Sequence, residues 1–228
     1  RYPSPHGKFN LEITKPHTML LSKKTVEENA TLALWEITET IDELLDLLHL
    51  DPFIIQEISL FTSDKRKLEY LAARVLLQEV IGEKKTIAYT KHGKPYLVDK
   101  SYQISITHTG KQVAILLHPT YRVGVDVERI SDKVVRVQSK FLSETERASI
   151  EPSLAKTHLA LLWAAKETLY KILGQEEVEF TKHLAIEPFK PYLMGTMEAK
   201  ETRTPAAETF QLTYHVFPEF VLVWTVKP

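Results

Sequence analysis

Three carboxylates in two separate segments are the residues best suited to chemistry. Asp126 and Glu128 alternate along Gly124-Val125-Asp126-Val127-Glu128, and Glu167 follows in Trp163-Ala164-Ala165-Lys166-Glu167-Thr168-Leu169-Tyr170-Lys171. In a strand, residues two apart share a face. Gly124, Asp126 and Glu128 therefore line one face, and Val123, Val125 and Val127 line the other as core. The glycine beside the two acids is expected to leave room for a ligand. Carboxylates without cysteine or histidine partners suit a hard cation such as Mg²⁺ rather than Zn²⁺. Such an ion retains sites for water and substrate phosphates, so the pattern points to metal-assisted chemistry on a phosphate ester.

Other groups could join this cluster. Glu167 and Lys171 are four residues apart on a helical face, a spacing that alone is ordinary helix support. Trp163, one turn before Glu167, suggests a partly buried surface on which Lys171 could meet a phosphate as a point charge. In Ser105-Ile106-Thr107-His108-Thr109-Gly110, Ser105 and Thr107 share a face opposite Ile104 and Ile106. His108 falls at the strand end and could donate to a phosphate oxygen with help from the Thr107 and Thr109 hydroxyls. Arg66 and Arg74, eight apart, project from nearly the same side of a helix and could grip a terminal phosphate. Lys94, before Pro95, is a further candidate on a stiff turn.

The elements that must position these groups follow from periodicity and capping. Ala30–Ile37 reads as a strand, followed by a helix burying Ile41, Leu44, Leu45 and Leu48 and closed by Asp51-Pro52. Ser63 opens a helix that runs to Ile81, buries Leu68, Leu71, Ala72, Val75 and Leu76, and stops at Gly82. Strands are expected over 86–90, 102–107, 113–117 and 123–127, with a turn at His92-Gly93-Lys94-Pro95. Ser143-Glu144-Thr145-Glu146 is a capping box. A long helix is expected from Ser153 to Leu173, ended by Gly174, and then strands near 184–186, 193–199, 209–216 and 220–226, with a polar hairpin loop between Glu198 and Glu208. Each half thus holds a long helix and several strands. The expectation is an α+β fold of two similar subdomains in a pseudo-twofold arrangement, residues 1–119 and 120–228, each an antiparallel sheet with a long helix and with the site at their interface.

Composition narrows the classes. A 228-residue chain that is 43% hydrophobic can bury one large core or two small ones. The net charge of -1 gives no global affinity for nucleic acid, so anion binding must come from local clusters. With no cysteine, disulfides, thiol nucleophiles and thiolate metal sites are excluded. No apolar run reaches the roughly 20 residues of a membrane span. Arg1 to Lys8 reads as a polar loop without a secretion signal, although a chain opening on Arg1 rather than Met is expected to be trimmed. The nine histidines are scattered, and His17, His49, His92 and His158 have no ligand-like spacing.

In order and type, these motifs resemble the 4′-phosphopantetheinyl transferases, of the larger type that activates peptide and polyketide synthetases. That family carries a Gly-Asp-x-Glu strand and a Trp-x-x-Lys-Glu-x-x-x-Lys helix, matched by Gly124 to Glu128 and Trp163 to Lys171. Its Lys-Pro turn, Asn-x-Ser-His-Ser strand end and Phe-Ser-x-x-Glu segment are matched by Lys94-Pro95, by Ser105 to Thr109 and loosely by Phe141 to Glu146. Ser105 replaces the usual Asn, and Thr107 and Thr109 replace Ser. The resemblance implies Mg²⁺-dependent (or Mn²⁺-dependent) transfer of 4′-phosphopantetheine from coenzyme A to a serine of an apo acyl or peptidyl carrier protein, releasing 3′,5′-ADP. It implies Asp126, Glu128 and Glu167 as metal ligands and Lys171 and His108 on phosphate oxygens. It places Arg66, Arg74, Lys94 and Thr107 on coenzyme A, with Glu167 as base, directly or through a metal-bound water. It further implies a cytoplasmic, usually monomeric pseudo-dimer without nucleic-acid or membrane partners. The alternatives are a carrier-protein phosphodiesterase or other hydrolase, which would show a richer His/Asp cluster, and a carrier-protein binding module, which would show a broken acidic cluster.

Overall fold

The computed structural model describes residues 20–174 and 177–228. The polar start Arg1 to Lys8 and His17 lie outside the described residues. The fold is α+β and its paired strands are antiparallel, as expected.

The first sheet is built from β1 (Leu20–Thr25), β2 (Thr31–Glu36), β5 (Gln103–Thr109) and β6 (Gln112–His118), in the order β1-β2-β6-β5. Helices α1 (Ile41–Leu47), α2 (Pro52–Ser59) and α3 (Asp64–Ile81) cover one face, where Trp35, Leu71, Val75 and Ile115 form a core. The short strands β3 (Ile87–Tyr89) and β4 (Pro95–Leu97) make a separate hairpin around the turn that carries Lys94. Gly82, at φ 83°, terminates α3, because a left-handed residue there costs glycine little. Ser63 stands at the N-cap of α3 without a side-chain capping bond. Asp51-Pro52 corrects the sequence reading. It opens α2 instead of merely closing α1, with Asp51 Oδ1 accepting from Phe53 N at 2.9 Å and Pro52 as the first helical residue. Proline tolerates that position because the amide it lacks would have no helical partner there.

The second sheet takes the order β7-β11-β10-β9-β8, from β7 (Arg122–Arg129), β8 (Leu184–Ile186), β9 (Met194–Glu201), β10 (Thr209–Val216) and β11 (Phe220–Lys227). Its long helix α6 (Ala155–Leu173) packs on one face, with Leu161, Leu169 and Ile172 against Leu212, Val221 and Val223. Between β7 and α6 run α4 (Asp132–Val137) and α5 (Glu144–Ala148), and α7 (Phe180–His183) follows α6. The Ser143 capping box forms with both of its reciprocal bonds. The polar hairpin loop is shorter than expected, because β9 extends to Glu201, whose buried carboxylate gathers the amides of Thr204 and Glu208.

The faces of the two sheets that carry no helix meet each other. Leu32, Leu34, Ala114 and Leu116 pack there with Val123, Val125, Val127, Leu222 and Trp224. The valine face of β7 is therefore core, as its alternation predicts. Edge strands β5 and β7 are further joined by side chains, since Val125 N donates to Ser105 Oγ (3.1 Å) and Val127 N to Thr107 Oγ1 (3.3 Å). The two hydroxyls thus satisfy amides that the edge of β7 would otherwise leave buried and unpaired. No helix among the described residues is long and apolar enough to cross a membrane.

Candidate active site

The acidic face of β7 is covered by α6, and its glycine serves that contact. A Cβ on Gly124 would stand 2.6 Å from the Thr168 carbonyl oxygen and 3.2 Å from Ile172 Cβ. The space beside the acids is therefore filled by the helix, which corrects the expectation that Gly124 leaves room for a ligand. Its lack of a side chain lets α6 approach closely enough to place Glu167 and Lys171 next to Asp126.

Asp126 is buried, and its Oδ1 accepts from Thr107 Oγ1 at 2.9 Å and from Lys171 Nζ at 2.6 Å. Lys171 also donates to Val125 O at 3.1 Å. Glu128, buried on the same face, takes a hydrogen bond from Trp163, and burial together with the charge of Asp126 raises its pKa. Glu167 is half-buried between these groups. Burial first, then Asp126 and Glu128, push its carboxyl up to about 7, against the opposing pull of Lys171 and Lys133. These three acids feel one another, and that mutual repulsion is what a bound cation relieves.

Among the described residues, no three His, Asp or Glu side chains are gathered closely enough to hold a metal ion. The three carboxylates thus share one neighbourhood without forming a ready ligand cluster, and the Lys171 ammonium sits on Asp126 Oδ1. In charge and donor type, all-oxygen and acidic, Asp126, Glu128 and Glu167 fit a hard divalent ion.

Of the other expected residues, Lys94 belongs to this neighbourhood. A cavity of about 320 Å³ opens beside Glu167 and Lys171, walled by the Lys94-Pro95 turn, by Ser105 and Ile106 of β5 and by Tyr170. Lys94 Nζ donates to Ile172 O at 3.4 Å, and burial, then Arg122, lowers its pKa. Both chain halves contribute to this wall. His108 stands at the end of β5 with Nδ1 3.3 Å from Glu69 Oε1. Burial lowers its pKa, with Glu69 opposing and Lys171 and Lys65 reinforcing that effect. Glu69 is buried on α3 and escaped the sequence reading because its position there looks like one more charge on a polar face.

Arg66 and Arg74 are not brought to this cavity. Arg66 is exposed and lies over the Phe61 ring, 5.5 Å from its centroid. Arg74 is buried over the Tyr70 ring and lines a different cavity, which shares no residue with the first. Their equal heading on an ideal helix did not decide where the guanidinium groups end, because each turns onto a neighbouring aromatic ring.

Lys166 was the residue the sequence undervalued. It is 0% exposed, and its ammonium donates to Phe141 O (2.7 Å), Glu146 Oε2 (2.8 Å) and Phe180 O (3.0 Å). Its three protons have three acceptors. Burial still lowers its pKa, with Glu146 opposing. Glu146 Oε1 in turn accepts from Ile186 N at 2.9 Å. The capping-box glutamate thus anchors α5 to α6 and β8.

Fold and site together define an α+β protein with a cavity lined by Lys94, Lys171 and Glu167 beside the acids Asp126 and Glu128. Residues 122–215 match the model of the 4'-phosphopantetheinyl transferase superfamily. It is 30% identical over 114 residues to the 4'-phosphopantetheinyl transferase gsp of Aneurinibacillus migulanus, a span that is 47% of this chain and 46% of that protein. It is 29% identical over 115 residues to the 4'-phosphopantetheinyl transferase AcpT of Salmonella typhi, covering 48% of this chain and 60% of the relative. The matches therefore span roughly half of the length of these curated relatives.

Proposed function

We propose that this protein transfers the 4′-phosphopantetheine arm of coenzyme A to a serine of an apo acyl or peptidyl carrier protein, releasing 3′,5′-ADP. The observation that carries the reading is Glu167. Its carboxyl, pushed up to about 7, sits beside Asp126 and Glu128 on the wall of a cavity that Lys94 and Lys171 also line. A general base works best with a pKa near the operating pH; burial brings this carboxylate into that range when no cation is bound, and a cation held by the three acids would lower its pKa again.

In this mechanism the serine oxygen attacks the phosphorus that bears the pantetheine. Its proton passes to Glu167, and the P–O bond to the nucleotide breaks, the electron pair leaving with 3′,5′-ADP. Charge must be neutralised on both phosphates during that exchange. Lys171 supplies a cation that can be shared between Asp126 and a phosphate oxygen. Lys94 supplies a second, and its lowered pKa makes it responsive to a bound anion. With Nδ1–H directed at Glu69, His108 donates to a phosphate through Nε2 only when protonated. Burial opposes that protonation, and a bound phosphate favours it. Thr107 fixes the Asp126 carboxylate. Asp126, Glu128 and Glu167 would hold Mg²⁺, or Mn²⁺, whose contribution when bound is charge neutralisation at the pyrophosphate. Arg66 and Arg74 have no part in this reading. The two sheets with their long helices are read as two similar units in a pseudo-twofold arrangement, residues 1–119 and 120–228, acting as a cytoplasmic monomer.

The test is to incubate the protein with apo carrier protein, coenzyme A and Mg²⁺ and to weigh the carrier. A gain of the arm's mass that Asp126→Ala abolishes, while the variant keeps its circular dichroism, is the expected result. Loss of the arm from holo carrier would mean a hydrolase. A stable complex without a mass change would mean a binding module.

A further inference from the structure

The cavity around Arg74 lies apart from the acidic site, between the end of α1, the start of α2 and the segment that joins α3 to β3. It measures about 220 Å³, and its walls include Leu48, Phe53, Ile54 and Ile87. Arg74 is 8% exposed. Its NH1 donates to Tyr70 O at 3.1 Å, and its guanidinium carbon lies 3.2 Å from the centroid of the Tyr70 ring. Among the described residues no carboxylate pairs with it. The acids nearby are engaged elsewhere or stand off. Asp51 accepts from Phe53 N and pairs with Lys84, while Lys85 is held by Glu83 and Asp99. Glu57 is close enough to act on Tyr70 but forms no ion pair with Arg74. The Tyr70 hydroxyl is itself buried without a hydrogen-bond partner.

A buried guanidinium normally has a counter-charge and uses most of its five donors. Among the described residues one hydrogen bond and one aromatic face are its whole complement, and it borders a cavity of mixed lining, apolar at Leu48, Phe53, Ile54 and Ile87 and polar at Asp51, Gln78, Lys84, Lys85 and Thr86. The planar fork of an arginine matches a carboxylate with two parallel hydrogen bonds. The volume falls below that of pockets for drug-sized molecules. We propose that this cavity is a second binding site, for a small carboxylic acid whose short apolar chain lies against Leu48, Phe53, Ile54 and Ile87 while its carboxylate pairs with Arg74. Lys84 at the rim pairs with Asp51, the carboxylate in the lining, and neutralises the charge that would otherwise repel an entering anion.

The experiment is a titration of the full chain with hexanoate, followed by two-dimensional amide NMR, with hexanol, inorganic phosphate and coenzyme A as comparison ligands. Hexanoate is expected to shift the amides of Leu48, Ile54 and Ile87 saturably, and hexanol and phosphate are not. Arg74→Met should weaken hexanoate at least tenfold. Thr86→Trp sets an indole at an exposed residue of the wall, and should block hexanoate while leaving carrier modification intact. It also decides the matter if Arg74→Met fails to fold. The proposal is overturned if hexanoate produces no saturable shifts, if binding survives Thr86→Trp, or if hexanol or phosphate binds as well as hexanoate. Displacement of hexanoate by coenzyme A would also overturn it, since the cavity would then be part of the nucleotide site. None of these outcomes bears on whether the acidic cleft transfers phosphopantetheine.

Discussion

Helix α6 carries two lysines, five residues apart, that live in opposite electrostatic worlds. Lys166 is fully enclosed, and every proton of its ammonium has an acceptor. Lys171 is partly exposed and shares Asp126 with Thr107, next to two further acids whose pKa values are raised. The first cluster is balanced, and the second holds more negative charge than it neutralises. A balanced buried network fixes architecture, because any change leaves a stranded charge. An unbalanced one stores affinity for a cation or for a proton from substrate. The difference separates a charge-balanced from an unbalanced half of one helix motif, which its sequence alone does not do.

The sharpest break of this comparison is at Glu167, the proposed base. Glu167→Gln is expected to lower the rate of carrier modification by about 10²- to 10⁴-fold, the range for loss of a general base, measured as initial rate at saturating coenzyme A. A rate within threefold of the parent would remove Glu167 from the mechanism.

Next comes Lys166→Ala, expected to cost about 3–5 kcal/mol of stability in urea unfolding, since Glu146 is left buried and alone. Lys171→Ala, at the partly exposed lysine, also strands an acid but one that solvent reaches in part, so it should cost less than Lys166→Ala yet abolish most activity. If the two variants destabilised equally, the division between the clusters would fail. Gly124→Ala is smaller, about 1–3 kcal/mol, because a methyl group must displace the backbone of α6. Its activity should fall more than its stability, since Glu167 and Lys171 move with that helix.

The pH dependence of stability tests the same imbalance. The Glu167 carboxyl is raised in the folded protein, to about 7. The folded state therefore binds its proton more tightly than the unfolded chain. Without divalent metal, that favourable contribution is complete below about pH 4.5 and is lost as the pH rises through about 7. Glu167→Gln should consequently be about 1–2 kcal/mol more stable than the parent at pH 8, the full shift being reduced for partial solvent screening, and should gain nothing at pH 4.5. Added Mg²⁺ should raise the melting temperature of the parent at pH 8 more than that of the variant. The smallest expected effect is at Lys94→Ala, a rise of about tenfold or less in KM for coenzyme A with kcat nearly unchanged, as for loss of a ground-state phosphate contact.

Much of this was legible in the sequence. The alternation of β7, the stripe of α3 and its Gly82 stop, the Ser143 capping box and the strands of the second sheet followed from period and caps, which are local properties. The residues the fold gathers beside one another, Asp126, Glu128, Glu167, Lys171, Lys94 and Thr107, were singled out from equally local patterns. Strand β1 was missed because Leu20-Leu21-Ser22-Lys23-Lys24-Thr25 has no clean alternation at a sheet edge, and α2 because Asp51-Pro52 serves equally as an end and a beginning.

Tertiary structure alone decided what lies against each face. Spacing along one chain says which side chains point together, but not which element arrives to cover them. That is why Gly124 proved to be a seat for α6 rather than space for a ligand, and why Lys166 became an internal tie while Lys171 reached an acid 45 residues away in the chain. It is also why Arg74, in line with Arg66 by helix geometry, ended in a cavity of its own.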